Sequence, residues 1–326
     1  VNQAYPDSLE SRATETRVTV FGPASLSNLG PGFDTIGLCL QADGLGDTVE
    51  AWLTDEPGVR VTIDPAGFGA DLPLDPALNT AAVAARSVMI RTGQTAGIAL
   101  HIHKGFAPGS GIGSSAASAV AGAWAANLLS GGLCSREDLV EAVLVGESLA
   151  SGSRHGDNVL PALFGGLVLV SSFDPARYRK IDIPQDLWIA VVLPQVQVLT
   201  REARAILPAE VPLRSAVDNA SALAFMVDAF RAGDWEEVGD WMMRDRIVEP
   251  VRATLLPCYD AVRMAALEAG AYGCALTGSG PAMFAITDNP LRAGAIQIAM
   301  EGASQRMGIG ATGYVCRPHP GGVSRL

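Results

Sequence analysis

Apolar and polar positions divide the chain into short alternating runs and longer helical ones. Residues 98–102 alternate in the manner of a strand. Residues 17–21 and 59–63 predict two more strands in the first half. Residues 80–92 carry alanines and Val83 on one face, which predicts a helix capped by Asn79. From Ala116 to Leu129 the residues are small helix formers, and Gly131-Gly132 stops them. Ser135 followed by Asp138 has capping-box spacing and opens a helix running to about Ala150. Gly165-Gly166 then leads into an apolar strand ending at Val170. In the second half, 188–193, 272–276, 282–287 and 312–316 predict strands. Helices are expected from Thr200 to an end within 205–208, and at 214–232, 235–248 and 291–307, so this half reads β, helices, β, β, α, β.

One connection stands out against this pattern. Ala107-Pro108-Gly109-Ser110-Gly111-Ile112-Gly113-Ser114-Ser115 joins the strand at 98–102 to the helix that ends at Leu129. Glycines at every second position let backbone approach a ligand without Cβ atoms in the way. Ser114 is a good N-cap, and the first N–H groups of the helix favour an anion. The stretch is therefore a candidate phosphate cradle; a plain tight connection would use the same residues. It lacks the Gly-Lys-Ser/Thr of the Walker pattern and the glycine spacing of the dinucleotide fingerprint.

Composition narrows the class. A chain of 326 residues, 48% hydrophobic and 17% charged, is globular and long enough for two domains. A net charge of −11 argues against a nucleic-acid partner. Five scattered cysteines without a Cys-x-x-Cys pair read as reduced thiols of a cytoplasmic protein. No apolar run reaches membrane-spanning length, and the polar start has neither signal-peptide nor transit-peptide character. A polar, basic patch at 171–180 marks a division into an arm at 1–16, a first domain at 17–172 and a second at 173–326.

Several polar residues have two readings from the sequence alone. Asn28 and Asp34 lie in a breaker-rich loop and fit either an Asx-type surface turn or a substrate loop. Lys104 either reaches nucleotide phosphates or is solvated. His101 and His103 share a strand face, yet no further ligand cluster accompanies them. Glu147 falls at a helix C-terminus, where an acidic group opposes the macrodipole unless a cation joins it. Arg204 and Arg252 read locally as surface charges.

Longer strings bear on several of these residues through a resemblance. Pro108 through Ala117 resembles the central ATP-binding motif of the GHMP kinases, and Thr277-Gly278-Ser279-Gly280-Pro281 resembles their third motif. Ser27-Asn28-Leu29-Gly30-Pro31-Gly32-Phe33-Asp34 resembles the first motif of the homoserine kinases. That family continues into a strand and a Gly-Asp step, which Leu38–Leu40 and Gly46-Asp47 supply. Asp75-Pro76-Ala77-Leu78-Asn79-Thr80 matches the same family except that Thr80 replaces a leucine. His155-Gly156-Asp157-Asn158 matches except that Gly156 replaces a proline. Thr200 to Arg204 and Glu249-Pro250-Val251-Arg252 complete the set.

The resemblance implies an α+β, two-domain GHMP kinase fold. Its first domain is ribosomal-protein-S5-like with a left-handed βαβ unit, and its second is ferredoxin-like. It implies phosphoryl transfer from ATP to L-homoserine, with ATP and Mg²⁺ as cofactors and a homodimer as a family-level expectation. Asn79, Lys104 and Pro108, Gly109, Ser110, Gly111, Ile112, Gly113, Ser114 and Ser115 would face ATP. Ser115 and Glu147 would hold the metal. Arg204 and Arg252 would hold the substrate carboxylate, Asp34 and Asp157 its ammonium group, and Asn28 would sit by the attacking hydroxyl. Asn28, Asp157 and Arg252 are the catalytic candidates, with Asp157 either a base or an anchor. A mevalonate or sugar kinase and an inactive nucleotide-binding regulator are the rivals.

Overall fold

Two sheets organise the chain, of which the computed structural model describes residues 16–326. The arm expected at 1–16 therefore lies, up to residue 15, outside the described residues. The first half comprises β1 (Arg17–Pro23), β2 (Ser25–Ser27), β3 (Ile36–Gln41), β4 (Gly46–Thr54), β5 (Val59–Ile63), α1 (Thr80–Thr92), β6 (Gly97–His103), α2 (Ser114–Leu129), α3 (Val140–Ser151), α4 (Val159–Phe164) and β7 (Leu167–Val170). There follow β8 (Tyr178–Ile181), β9 (Trp188–Pro194), α5 (Thr200–Ala205), α6 (Leu213–Ala232), α7 (Trp235–Met242), α8 (Glu249–Arg252), α9 (Tyr259–Glu268), β10 (Gly273–Leu276), β11 (Met283–Thr287), α10 (Pro290–Arg306), β12 (Ala311–Pro318) and β13 (Ser324–Arg325).

The first sheet has the order β13-β1-β4-β6-β5. Its parallel pair, β5 and β6, is joined through α1 as a βαβ unit. The second, eight-stranded sheet runs β10-β11-β9-β12-β3-β7-β8, with β2 paired to β3. The α+β class expected from the sequence is the class observed. β12 meets β3 at Arg317↔Gln41 and Pro318↔Leu40, so this sheet draws on both halves of the chain. We keep 172/173 as a proposed division; β8 pairs back across it to β7.

Period-two alternation explains the core of the second half. On β9, Ile189 and Val191 face a cluster with Met226 and Phe230 of α6 and Trp235 of α7. Ala190 and Val192 face Val262 of α9 and Ile296 and Met300 of α10. With both faces covered, β9 reads as a continuous apolar run rather than an alternating one. Helix α2 is buried nearly all round, which its alanines permit. Gly122 is required there, because an added Cβ would lie 2.4 Å from the Ala81 carbonyl oxygen of α1.

Several elements differ from expectation, and helices α4 and α9 are additional to it. The helix expected at 235–248 stops at Met242. Beyond the stop, the buried Asp245 carboxylate accepts from the N–H groups of Ile247, Val248 and Glu249, and so holds the turn that leads into α8. The basic patch at 171–180 contributes strand β8, whose Lys180 ammonium donates to the carbonyls of Phe164 and Pro320. The chain also continues past the last expected strand, returning as β13 to pair with β1. Ser114 is the first helical residue of α2 rather than its cap; Gly113 holds the cap position.

Candidate active site

The glycine loop is built as a cradle. Gly109, Gly111 and Gly113 have φ of 74°, 87° and 74°, a left-handed conformation at alternate residues of the kind that builds anion-binding backbone concavities. Among the described residues no side chain caps α2, so its first N–H groups remain for a ligand. The loop is pinned from behind. Ser25 N donates to Ile112 O at 3.1 Å, Ala282 N to Ser110 O at 3.1 Å, and Thr277 Oγ1 to Gly111 O at 3.2 Å. Ile112 is fully buried in a core shared by both halves.

Gly111 is needed at this junction. An added Cβ would lie 2.8 Å from Gly280 O and 2.9 Å from Thr277 O, both rigid backbone. Gly111→Val should therefore push the cradle off the 277–281 loop as well as strain a positive φ. Strain of about 1–3 kcal/mol corresponds to a rise of roughly 5- to 150-fold in the KM for ATP. Steady-state titration checks this, and an unchanged KM in a folded variant would remove the cradle from the account.

A cavity of about 610 Å³ has Pro108, Gly109, Gly111, Gly113, Ser114 and Ser115 in its wall. Ser110 and Ile112, also expected at the nucleotide, do not line it; they fasten the loop from behind. Asn79 lines it too, and its side chain is engaged as the cap of α1, accepting from Ala82 N while donating to Pro73 O. Lys104 is neither solvated nor free to swing. Its buried ammonium pairs with Asp47 and donates to Ser114 O at 2.9 Å and Ser118 Oγ at 3.0 Å, beneath the first turn of α2. Ser115 Oγ donates to Glu147 Oε1 at 3.1 Å. Burial pushes the Glu147 carboxyl up to about 8. A hydroxyl and a carboxylate are hard oxygen donors suited to Mg²⁺, and a cation would relieve the burial of that charge.

The other end of the cavity is a charge cluster. Asn28, Leu29 and Asp34 all have positive φ, and Asn28 Oδ1 accepts from Asp34 N at 3.1 Å. The loop is thus an Asx-held turn and also part of the cavity wall. Asn28 Nδ2 donates to Gly278 O at 3.0 Å, tying the first motif to the third. Arg204 grips Asp34 with two bonds, of 3.0 and 3.1 Å. Arg204 Nε is buried without a hydrogen-bond partner among the described residues. Arg252 donates to Ala203 O at 3.3 Å and Gly278 O at 2.6 Å. Burial, and then the Arg204 charge, pull its pKa down to about 10, so it stays cationic at neutral pH. Asp157 is buried, and burial followed by the Asp34 charge pushes it up to about 7.

Sequence reasoning assigned no role to four residues around these groups. His155 Nδ1 lies 3.4 Å from Asp34 Oδ2, and Phe33 lies under both guanidiniums. Asp47 anchors Lys104. Glu249 accepts from Tyr259 Oη at 2.7 Å and Leu276 N at 3.1 Å, fixing the helix that carries Arg252. All four stand in the family-like strings, so proximity in sequence was the available signal. His101 and His103 form no metal cluster among the described residues; His103 sits between Asp64 and Glu50.

Glu147, Asp157 and Glu249 are raised by burial to about 8, 7 and 7, from ordinary values of 4.5, 3.8 and 4.5. A raised carboxyl makes the folded state bind its proton more tightly. The stability it contributes is present at acid pH and is lost as pH rises toward the folded value. The Tm of the ligand-free protein should fall between about pH 5 and pH 8 and then level off. Glu249→Gln keeps an acceptor for Tyr259 and Leu276, and should make that fall shallower in a thermal melt series. An unchanged slope would mean that Glu249 is ionised throughout.

No helix among the described residues is long and apolar enough to cross a membrane. The five cysteines are free. The GHMP kinases N-terminal domain model matches residues 79–166, and the GHMP kinases C-terminal model matches 226–303. The chain is 39% identical to a homoserine kinase of Pyrococcus abyssi, over 91% of this chain and 96% of that protein. It is 40% identical to the Pyrococcus furiosus homoserine kinase, over 91% and 97%. A crystal structure of homoserine kinase from Cytophaga hutchinsonii superposes with a TM-score of 0.90 at 37% identity, covering 99% of this chain and all 100% of that one. L. major mevalonate kinase, solved with R-mevalonate, shares the fold with a TM-score of 0.68 at 17% identity, covering 91% and 95%. With a cradle, a hydroxyl–carboxylate pair and a charge cluster in one cavity, and relatives of this identity along nearly its whole length, the chain belongs to the GHMP kinases and, among them, to the homoserine kinases.

Proposed function

We propose that the protein transfers the γ-phosphoryl group of ATP to the side-chain hydroxyl of L-homoserine, giving O-phospho-L-homoserine, ADP and a proton. The observation that carries the acceptor assignment is the Arg204–Asp34 pair, with the Arg204 Nε donor left over and Arg252 beside it. A zwitterionic amino acid can exchange into such a pair. Its carboxylate takes the guanidiniums, its ammonium takes Asp34 and Asp157, and no buried charge is left alone. A neutral polyol gives the two arginines nothing to bind.

Phosphoryl transfer depends on positioning and on neutralising charge over the phosphate oxygens. The left-handed glycines and the start of α2 supply N–H donors to the phosphates. Ser115 and Glu147 would hold Mg²⁺, which supplies positive charge beside those phosphates when bound. The acceptor oxygen forms the new P–O bond as the bond to the ADP oxygen breaks. Its proton leaves to solvent, because Asp157 is taken by the ammonium group, whose charge holds that carboxyl ionised. Coupled ADP release with homoserine, mevalonate, galactose and no acceptor tests the assignment. Homoserine alone should stimulate release; stimulation by mevalonate or galactose instead would overturn it.

A further inference from the structure

We propose that Phe33 is a positioning residue whose ring holds the Arg204 and Arg252 guanidiniums together for the carboxylate of the acceptor. The inference rests on the amino-acid acceptor proposed above. Arg204 Cζ lies over the Phe33 ring at 5.3 Å from its centroid, and Arg252 Cζ lies over the same ring at 5.0 Å. An aromatic face is electronegative, so it attracts a cation placed over it. Two guanidiniums brought this close repel each other. One ring shared between them offsets part of that repulsion while no anion is bound.

Phe33 has no competing structural employment. It belongs to none of the three hydrophobic clusters and is only half-buried, an unusual place for a phenylalanine. It stacks on no other aromatic ring among the described residues. The backbone on either side is fixed. Asp34 N donates to Asn28 Oδ1, Gly32 N to Asn28 O, and Ile36 N to Gly32 O. The ring is thus presented from a rigid turn, while the guanidiniums approach it from α5 and α8 of the second half. Their other side-chain bonds go to different groups: Arg204 grips Asp34, whereas Arg252 grips the Gly278 carbonyl and the Ala203 carbonyl, which ties it to the backbone of α5 but not to the Arg204 guanidinium. The ring is the side chain that both guanidiniums lie over.

Phe33→Leu keeps apolar bulk and removes the aromatic face; Phe33→Tyr keeps the face. We expect Phe33→Leu to raise the KM for homoserine on the order of tenfold, with kcat nearly unchanged. The KM for ATP should stay at the wild-type value, and Phe33→Tyr should remain close to wild type for both substrates. Turnover of 3-aminopropanol, which lacks the carboxylate, should change little in either variant. An unchanged homoserine KM in Phe33→Leu, equal losses for homoserine and 3-aminopropanol, or a Tyr variant as impaired as the Leu one would overturn the inference. If Phe33→Leu and Phe33→Met both fail to fold, the ring is a structural residue and the inference also falls. A wild-type protein that does not phosphorylate homoserine would instead sink the acceptor assignment, and that result is read before any variant is made.

Discussion

Replacing Arg252 with leucine should lower kcat/KM for homoserine by roughly 30- to several-thousand-fold, the cost of about 2–5 kcal/mol for losing one partner of a buried charged pair. Arg252 is 4% exposed, so its charge interacts with a bound carboxylate under little solvent screening. Its bonds to Ala203 O and Gly278 O hold α5 and the third-motif loop, so part of any loss could be structural. Comparison with 3-aminopropanol separates the two causes. A structural defect hurts both acceptors alike, whereas a lost carboxylate contact hurts homoserine selectively. Arg204→Leu should show the same selectivity with an added penalty, because Asp34 then loses its bidentate partner. Equal losses for both acceptors in folded variants would mean that the arginines do not read the carboxylate.

The second large effect is on folding. Lys104→Met should destabilise the protein by about 3–5 kcal/mol, since it leaves the Asp47 carboxylate buried without its cation. Both side chains are almost wholly out of solvent, at 1% and 0% exposure. Asp47 retains Ser118 Oγ at 2.6 Å and Gly105 N at 3.4 Å, too little to replace an ammonium. Thermal or urea denaturation reads the loss directly, with a Tm lowered on the order of 10 °C. The double change Lys104→Met with Asp47→Leu removes both charges and should recover much of it. Full stability in the single variant would show that the pair contributes nothing. Because Lys104 also holds the Ser114 carbonyl in the first turn of α2, the double variant should remain weaker for ATP even where it folds.

What could be read from the sequence follows from how local each signal is. The bounds of α1, Thr80–Thr92 with Asn79 as its cap, are legible because the cap residue and the alanine face are contiguous in the chain. Ser135 and Asp138 make the reciprocal bonds of a capping box for the same reason. The break after Met242 is not legible in the sequence, because the Asp245 carboxylate holds the turn before α8 only in the fold, braced by Asn219 Nδ2 at 3.0 Å. Lys104 was ambiguous because its partner Asp47 is 57 positions away. The motifs brought Asn28, Asp34, Asp157, Arg204 and Arg252 to one list, yet their resting pairing was invisible. Arg204 and Asp34 are 170 positions apart and find each other only through the fold. Phe33 was quoted in its motif without a role, since nothing in a sequence tells a core phenylalanine from one lying under guanidiniums.

Phosphorus NMR of the protein incubated with Mg-ATP and L-homoserine tests the central claim most directly. The account predicts one new phosphomonoester resonance, coupled to methylene protons, growing in step with ADP and absent when homoserine is omitted. Growth of inorganic phosphate alone, or of an acyl phosphate resonance, would contradict transfer to the side-chain hydroxyl.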